Sequence, residues 1–211
     1  GVKLDPNTQV VATLGSKEGF ANMAQAITAP GDVVLVPNPT YPIHSFGFIM
    51  SGGVVRSMPA DPNEDFMRSL DRAVRHSIPK PIALVLNYPA NPTAYTADLD
   101  FYTEVVKYCK ANDIFILSDL AYSEIYFDED APPPSVLQVP GAMDITVEFT
   151  SMSKTYSMPG WRVGFAVGIM YEGLLRPTGR HRMVALPPAP GPPGPERRLR
   201  RCATGQRTPR A

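Results

Sequence analysis

Short β-branched runs alternate along residues 1–168 with longer segments in which apolar side chains recur at helical spacing. The pattern predicts strands over 10–14, 33–37, 54–58, 82–87, 114–119, 146–150 and 163–167. Between them it predicts helices over 17–28, 41–51, 64–76 and 98–112. In the last of these helices Leu99, Tyr102, Val105, Val106 and Cys109 form one apolar stripe, with Thr96 or Asp98 placed to cap it. Such alternation implies an α/β domain with a mostly parallel seven-stranded sheet and helices on both faces. The final strand is expected to run antiparallel, because the link from Thr150 to Val163 is a Ser-Met-Ser-Lys turn and Pro159-Gly160, too short for a parallel crossover.

Ligands of open α/β sheets bind at the carboxyl ends of the strands, and there the chain places its chemistry. Gly15-Ser-Lys-Glu-Gly follows the first strand and opens a helix, where free backbone N–H groups and the helix dipole attract a phosphate. Asn91 lies in a proline-flanked turn after the fourth strand, Asp119 ends the fifth, and Tyr122 comes three residues later. Ser151-Met-Ser-Lys154 follows the sixth, with Trp161 and Arg162 beyond it. Each feature alone has an ordinary explanation: a helix cap, a solvated lysine, a tyrosine used for packing. Their joint order singles them out. The histidines His44, His76 and His181 are scattered and receive no role.

Composition divides the chain. Hydrophobic residues make up 44% and charged residues 19%, which excludes disorder throughout. Residues 1–168 hold 11 Lys and Arg against 18 Asp and Glu, and residues 169–211 hold 9 against 2, so a net charge of zero conceals an acidic body and a basic tail. The tail has arginine but no lysine, and eight of the 24 prolines. Its Pro/Arg-rich stretch is expected to lack regular structure. Nucleic-acid binding is set aside for it in favour of translation out of frame through GC-rich DNA, since arginine, proline, glycine and alanine share GC-rich codons. No apolar run reaches the ~18 residues of a membrane span, and no nucleic acid or membrane partner is expected. Cys109 and Cys202 stand far apart in no metal or redox spacing, consistent with a reducing, cytoplasmic setting and with no metal. The chain opens Gly-Val-Lys without methionine, so it is expected to begin inside a longer reading frame.

Five motifs occur in register: Gly-Ser-Lys-Glu-Gly from Gly15, Pro-Asn-Pro-Thr-Tyr-Pro from Pro37, Asn-Tyr-Pro-Ala-Asn-Pro-Thr from Asn87, Ser-Asp-Leu-Ala-Tyr from Ser118, and Ser-Met-Ser-Lys-Thr-Tyr-Ser-Met-Pro-Gly-Trp-Arg-Val-Gly from Ser151. In these, residues 10–168 resemble the large domain of class I/II, fold-type I pyridoxal-phosphate aminotransferases, and within that family the alanine-forming and LL-diaminopimelate branch. The resemblance implies pyridoxal 5′-phosphate as cofactor, amino-acid and 2-oxo-acid substrates, and a homodimer. It implies that Lys154 is the Schiff-base lysine and proton shuttle, in a buried, cationic setting that suppresses its charge. Asp119 would pair with the pyridine nitrogen, Asn91 and Tyr122 would bond the ring hydroxyl, and Tyr41 would stack on the ring. The backbone amides of Ser16 and Lys17, the Ser151 and Ser153 hydroxyls and Arg162 would hold the phosphate. Ala94 stands where the family often has glycine. The family's N-terminal tyrosine and its small domain, with the arginine for the substrate carboxylate, have no counterpart motif here. Two alternatives stay open: a truncated, non-catalytic chain that at most binds cofactor, and a β-lyase or synthase of the same fold.

Overall fold

A computed structural model describes residues 1–169. The expected tail behaviour over 186–211, and nearly all of the division at Gly168, lie outside the described residues. Seven strands form one sheet: β1 (Val10–Thr13), β2 (Val33–Asn38), β3 (Val54–Pro59), β4 (Pro81–Leu86), β5 (Phe115–Asp119), β6 (Thr146–Ser151) and β7 (Gly164–Gly168). Their order across the sheet is β1-β7-β6-β5-β4-β2-β3. Strands β2 to β6 are mutually parallel, and β7 runs antiparallel to both β6 and β1. The short return through residues 152–163 enforces that reversal, as the sequence leads one to expect.

Two layers of helix cover the sheet. On one face lie α1 (Ser16–Ile27) and α2 (Ile43–Ile49), burying Phe20, Met23, Ala24 and Phe48 against Val34, Val36, Val85 and Phe149. On the other lie α3 (Glu64–Arg75) and α4 (Leu99–Ala111), burying Phe66, Leu70, Tyr102, Val105 and Val106 against Leu35, Leu84 and Ile116. The central strand β4, Pro-Ile-Ala-Leu-Val-Leu, has no polar side chain because both of its faces are covered. Asn63 caps α3 by accepting the Asp65 N–H at 2.9 Å, and Asp98, not Thr96, caps α4 by accepting the Phe101 N–H at 2.8 Å. The expected apolar stripe of α4 holds except at Leu99, which is exposed at the first turn where the helix has not yet reached the sheet. Residues 41–51 are helical only over Ile43–Ile49. A one-turn helix α5 (Met152–Thr155) and 3-10 turns at Val136–Gln138, Ala142–Asp144 and Pro159–Trp161 complete the described fold.

One buried carboxyl marks the α4 face. Glu148 of β6 accepts hydrogen bonds from Ser135 Oγ at 2.7 Å and Ser118 Oγ at 3.1 Å. Burial pushes its carboxyl up to about 7, opposed by those two hydroxyls and the Val136 N–H and reinforced by the charge of Asp119. A folded-state value above the ordinary 4.5 means that the fold favours the protonated form. Its stabilising share is complete below pH 4.5 and is lost as pH rises through about 7, by about 3 kcal/mol at 1.36 kcal/mol per unit. Urea unfolding at pH 5 and pH 7.5 should therefore show a steeper loss of stability in the native chain than in Glu148→Gln. Equal slopes would contradict this.

Candidate active site

The parallel strands deliver their functional residues to one edge of the sheet. Asp119 is the last residue of β5, Ser151 the last of β6, and Asn87 follows β4 directly. The segment leaving β2 carries Thr40 and Tyr41 into α2.

Asp119 sits at the floor. Its Oδ2 lies 2.9 Å from Nε2 of the fully buried His44, whose Nδ1 lies 2.6 Å from Thr40 Oγ1. An imidazole carrying its proton on Nε2 donates to Asp119 and accepts from the Thr40 hydroxyl, so both ring nitrogens are satisfied. Phe20 packs beneath His44 with ring centroids 4.9 Å apart, and Tyr41 meets it edge-on at 5.9 Å. Asn87 ties the neighbouring strand ends together: its Nδ2 donates to the Asp119 carbonyl and its Oδ1 accepts the Asn91 N–H, each at 2.9 Å. After all this, Asp119 Oδ1 is buried and has no hydrogen-bond partner. A carboxylate oxygen left so is costly unless something donates to it.

A second group of residues gathers where β1, β7 and β6 lie side by side. In register, Thr13 pairs with Gly164 and Gly164 with Ser151. A Cβ on Gly164 would fall 2.7 Å from the Ser16 N and from the Thr150 carbonyl, so only glycine lets the start of α1 approach β6 this closely. Helix α1 begins after Gly15 (φ 85°) with no side-chain cap, leaving first-turn N–H groups of Ser16 and Lys17 free of one. Arg162, itself in the left-handed region at φ 52°, lays its guanidinium against Gly15 and donates to the Leu14 carbonyl at 3.2 Å and the Pro159 carbonyl at 3.4 Å. Ser151 Oγ accepts the Ser153 N–H at 3.3 Å, and Ser153 Oγ is buried without a partner. An unsatisfied hydroxyl, an uncapped helix start and a guanidinium together favour an anion.

Lys154 and Tyr122 meet with Nζ 5.5 Å from the ring centroid, and Lys17 Nζ lies 5.4 Å from the Tyr41 ring. The expected buried setting of Lys154 is corrected: it is exposed, on a one-turn helix beyond the carboxyl end of β6 that buries none of its residues. The absence of a role for His44 is corrected too, while His181 lies outside the described residues. His44 lies one turn after Tyr41, its N–H donating to the Tyr41 carbonyl at 3.0 Å, the one local signal that pointed to it; its contact with Asp119 spans 75 residues. His76 caps α3 and stays away from the site. Asn87 and Thr40 were also passed over, since both read as plain turn residues. No group of His, Cys, Asp and Glu suited to a metal occurs among the described residues, and no described helix is long and apolar enough to cross a membrane.

Comparison with known proteins gives this geometry a family. The model of "Aminotransferase class I and II" matches residues 1–176. The protein AatC of Rhizobium meliloti (strain 1021) is 77% identical over 168 residues, covering 80% of this chain and 41% of AatC. Glutamate-pyruvate aminotransferase AlaC of Escherichia coli (strain K12) is 47% identical, covering 79% and 40%. LL-diaminopimelate aminotransferase of Natranaerobius thermophilus is 45% identical, covering 80% and 43%. The substrate-bound structure of BacF from Bacillus subtilis superposes with a TM-score of 0.73 at 35% identity, covering 80% of this chain and 42% of BacF. The chain thus spans about two fifths of the length of the curated relatives it matches. On the match of its first 176 residues, and on a site assembled from that family's motifs, the chain belongs to the class I and II aminotransferases.

Proposed function

We propose that this chain carries the pyridoxal 5′-phosphate site of an aminotransferase that moves an amino group between an amino acid and a 2-oxo acid. Alanine and glutamate, with pyruvate and 2-oxoglutarate, are the leading substrates. The observation that carries the proposal is the buried, partnerless Oδ1 of Asp119 beside an Oδ2 already held by His44. Such an oxygen fits a protonated ring nitrogen, and the Ser16, Lys17, Ser151, Ser153 and Arg162 cluster fits a phosphate.

When bound, pyridoxal phosphate supplies an electron sink for bond cleavage at the substrate α-carbon. Asp119 would keep a proton on the ring nitrogen through its negative charge, with His44 holding Oδ2 and leaving Oδ1 for the ring. Lys154 would hold the cofactor through its amine and would serve as the base that moves a proton at the substrate α-carbon. Tyr122 and Asn91 would hold the ring hydroxyl, Tyr41 would pack on the ring, and Arg162 would offer the phosphate a planar, charged fork.

The printed name of AlaC, glutamate-pyruvate aminotransferase, supports the substrate pair. In this proposal residues 1–168 form the cofactor-binding large domain, two copies form a cytoplasmic homodimer, and neither nucleic acid nor membrane is a partner. Exposed Phe46, Ile49 and Met50 on α2 support a covered surface there. Equilibrium dialysis against pyridoxal phosphate tests the site. Saturable, stoichiometric uptake weakened by Arg162→Ala is expected, while uptake that never saturates, or is indifferent to Arg162, would overturn the proposal.

A further inference from the structure

Residues 121–134 leave β5 and return at the 3-10 turn Val136–Gln138, carrying Tyr122 to the amine of Lys154 on the way. The hydrogen bonds of this excursion, among the described residues, are internal: Ile125 N–H to the Tyr122 carbonyl, Ala131 N–H to the Asp128 carbonyl, and Asp130 N–H to the Asp128 carboxylate. Ile125 and Phe127 are exposed. The excursion is therefore held at its two ends. At its entry the Leu120 N–H donates to the Phe149 carbonyl at 2.9 Å, continuing the sheet.

The return end is held differently. Ser135 forms a preorganised turn, its N–H donating to Gln138 Oε1 at 2.8 Å and its Oγ accepting the Leu137 N–H at 3.1 Å. That turn is seated on the sheet by the Ser135 hydroxyl, which donates to Glu148 Oε1 at 2.7 Å. Glu148 in turn is braced by Ser118, its cross-strand partner on β5, which donates to Oε2 at 3.1 Å. Side chains alternate along a strand, so Ser118 and Glu148 face away from the side on which Asp119 meets His44. A buried carboxyl on one face of the sheet thus ties down a segment that serves the opposite edge.

We propose that Glu148 is a positioning residue: by seating Ser135 it fixes the return end of the 121–134 excursion and, through it, the place of Tyr122 against Lys154. The proposal rests on the assignment of Lys154 and Tyr122 to the cofactor site. Without the Glu148 bond the return end keeps the buried Val136 and Leu137 but loses the polar seat just ahead of them, and the conformational freedom the excursion regains weakens the hold on Tyr122.

Chymotrypsin reads this directly in the full chain without cofactor, through cleavage after Tyr126 and Phe127 relative to cleavage after the exposed Trp161. Ser135→Ala and Glu148→Ala should each raise that ratio roughly tenfold, the cost of leaving a buried hydrogen-bonding partner unsatisfied. Ser135→Thr, which keeps the hydroxyl, should restore it. Ser118→Ala, which removes the brace but not the seat, should leave it within about twofold. With pyridoxal phosphate bound, the pH midpoint of the bound chromophore in Ser135→Ala should move in the same direction as in Tyr122→Phe. An unchanged cleavage ratio in both Ser135→Ala and Glu148→Ala overturns the proposal, as does an equal rise in Ser118→Ala or a chromophore midpoint that ignores Ser135. The cleavage ratio needs no cofactor, so a chain that takes up no pyridoxal phosphate refutes the proposed function and leaves the seat of Ser135 to be judged by itself.

Discussion

Asp119→Asn should leave the chain folded and cost it roughly 10- to 100-fold in affinity for pyridoxal phosphate, the worth of a charge-assisted hydrogen bond in a buried setting. The asparagine amide keeps the shape of the carboxylate, and its oxygen accepts from His44 as Oδ2 does at 2.9 Å. Its nitrogen then occupies the place of Oδ1, presenting a donor where a protonated ring nitrogen needs an acceptor. Asp119→Ala should lose the same affinity and also about 1–3 kcal/mol of stability, because His44 is then buried without its partner. Thermal unfolding and equilibrium dialysis on the two variants separate these effects. Full cofactor affinity in Asp119→Asn would remove Asp119 from the role given to it.

Lys154→Ala has the larger expected effect. The chain has six lysines, Lys3, Lys17, Lys80, Lys107, Lys110 and Lys154. Lys110 is engaged with Asp144 at 2.7 Å, and Lys17 stands over Tyr41 at the start of α1, where its backbone N–H serves a phosphate better than its amine serves an aldehyde. Lys154 follows the carboxyl end of β6 and faces Tyr122, with Ser151 and Ser153 leaving room beside it. Alanine there should abolish borohydride-trapped cofactor and lower any amino transfer by at least about 10⁴-fold, since both the nucleophile and the proton carrier are gone. Non-covalent uptake through Asp119 and the phosphate cluster should remain. Amino transfer at a near-native rate in Lys154→Ala would contradict the assignment.

Much of the fold was legible because one force wrote it twice, in burial and in periodicity. Strands such as Pro81–Leu86 are apolar throughout because helices cover both faces, and α4 announces its start through Asp98. The reversal of β7 followed from the length of its link alone. Positions at strand ends were equally legible: Asp119 and Ser151 do end β5 and β6, and Arg162 does reach the start of α1. What stayed hidden depends on which strands become neighbours. His44 reaches Asp119 only because β2 and β5 flank β4 while α2 lies over that face, and Asn87 bridges β4 to β5 for the same reason. Glu148 looked like one polar position in a strand, with nothing nearby in sequence to reveal Ser118 and Ser135 as its partners. The exposure of Lys154 was not legible, because what an amine's chemistry requires does not state which residues of the chain surround it.

Peptide mapping after borohydride reduction of the native chain with pyridoxal phosphate tests the central claim most directly. Modification blocks trypsin at the labelled lysine, so label on Lys154 appears in a single uncut peptide spanning residues 111–162, bounded by Lys110 and Arg162. Saturable label confined to that peptide is the expected result. Label on Lys17, or spread evenly over the exposed lysines, would contradict it.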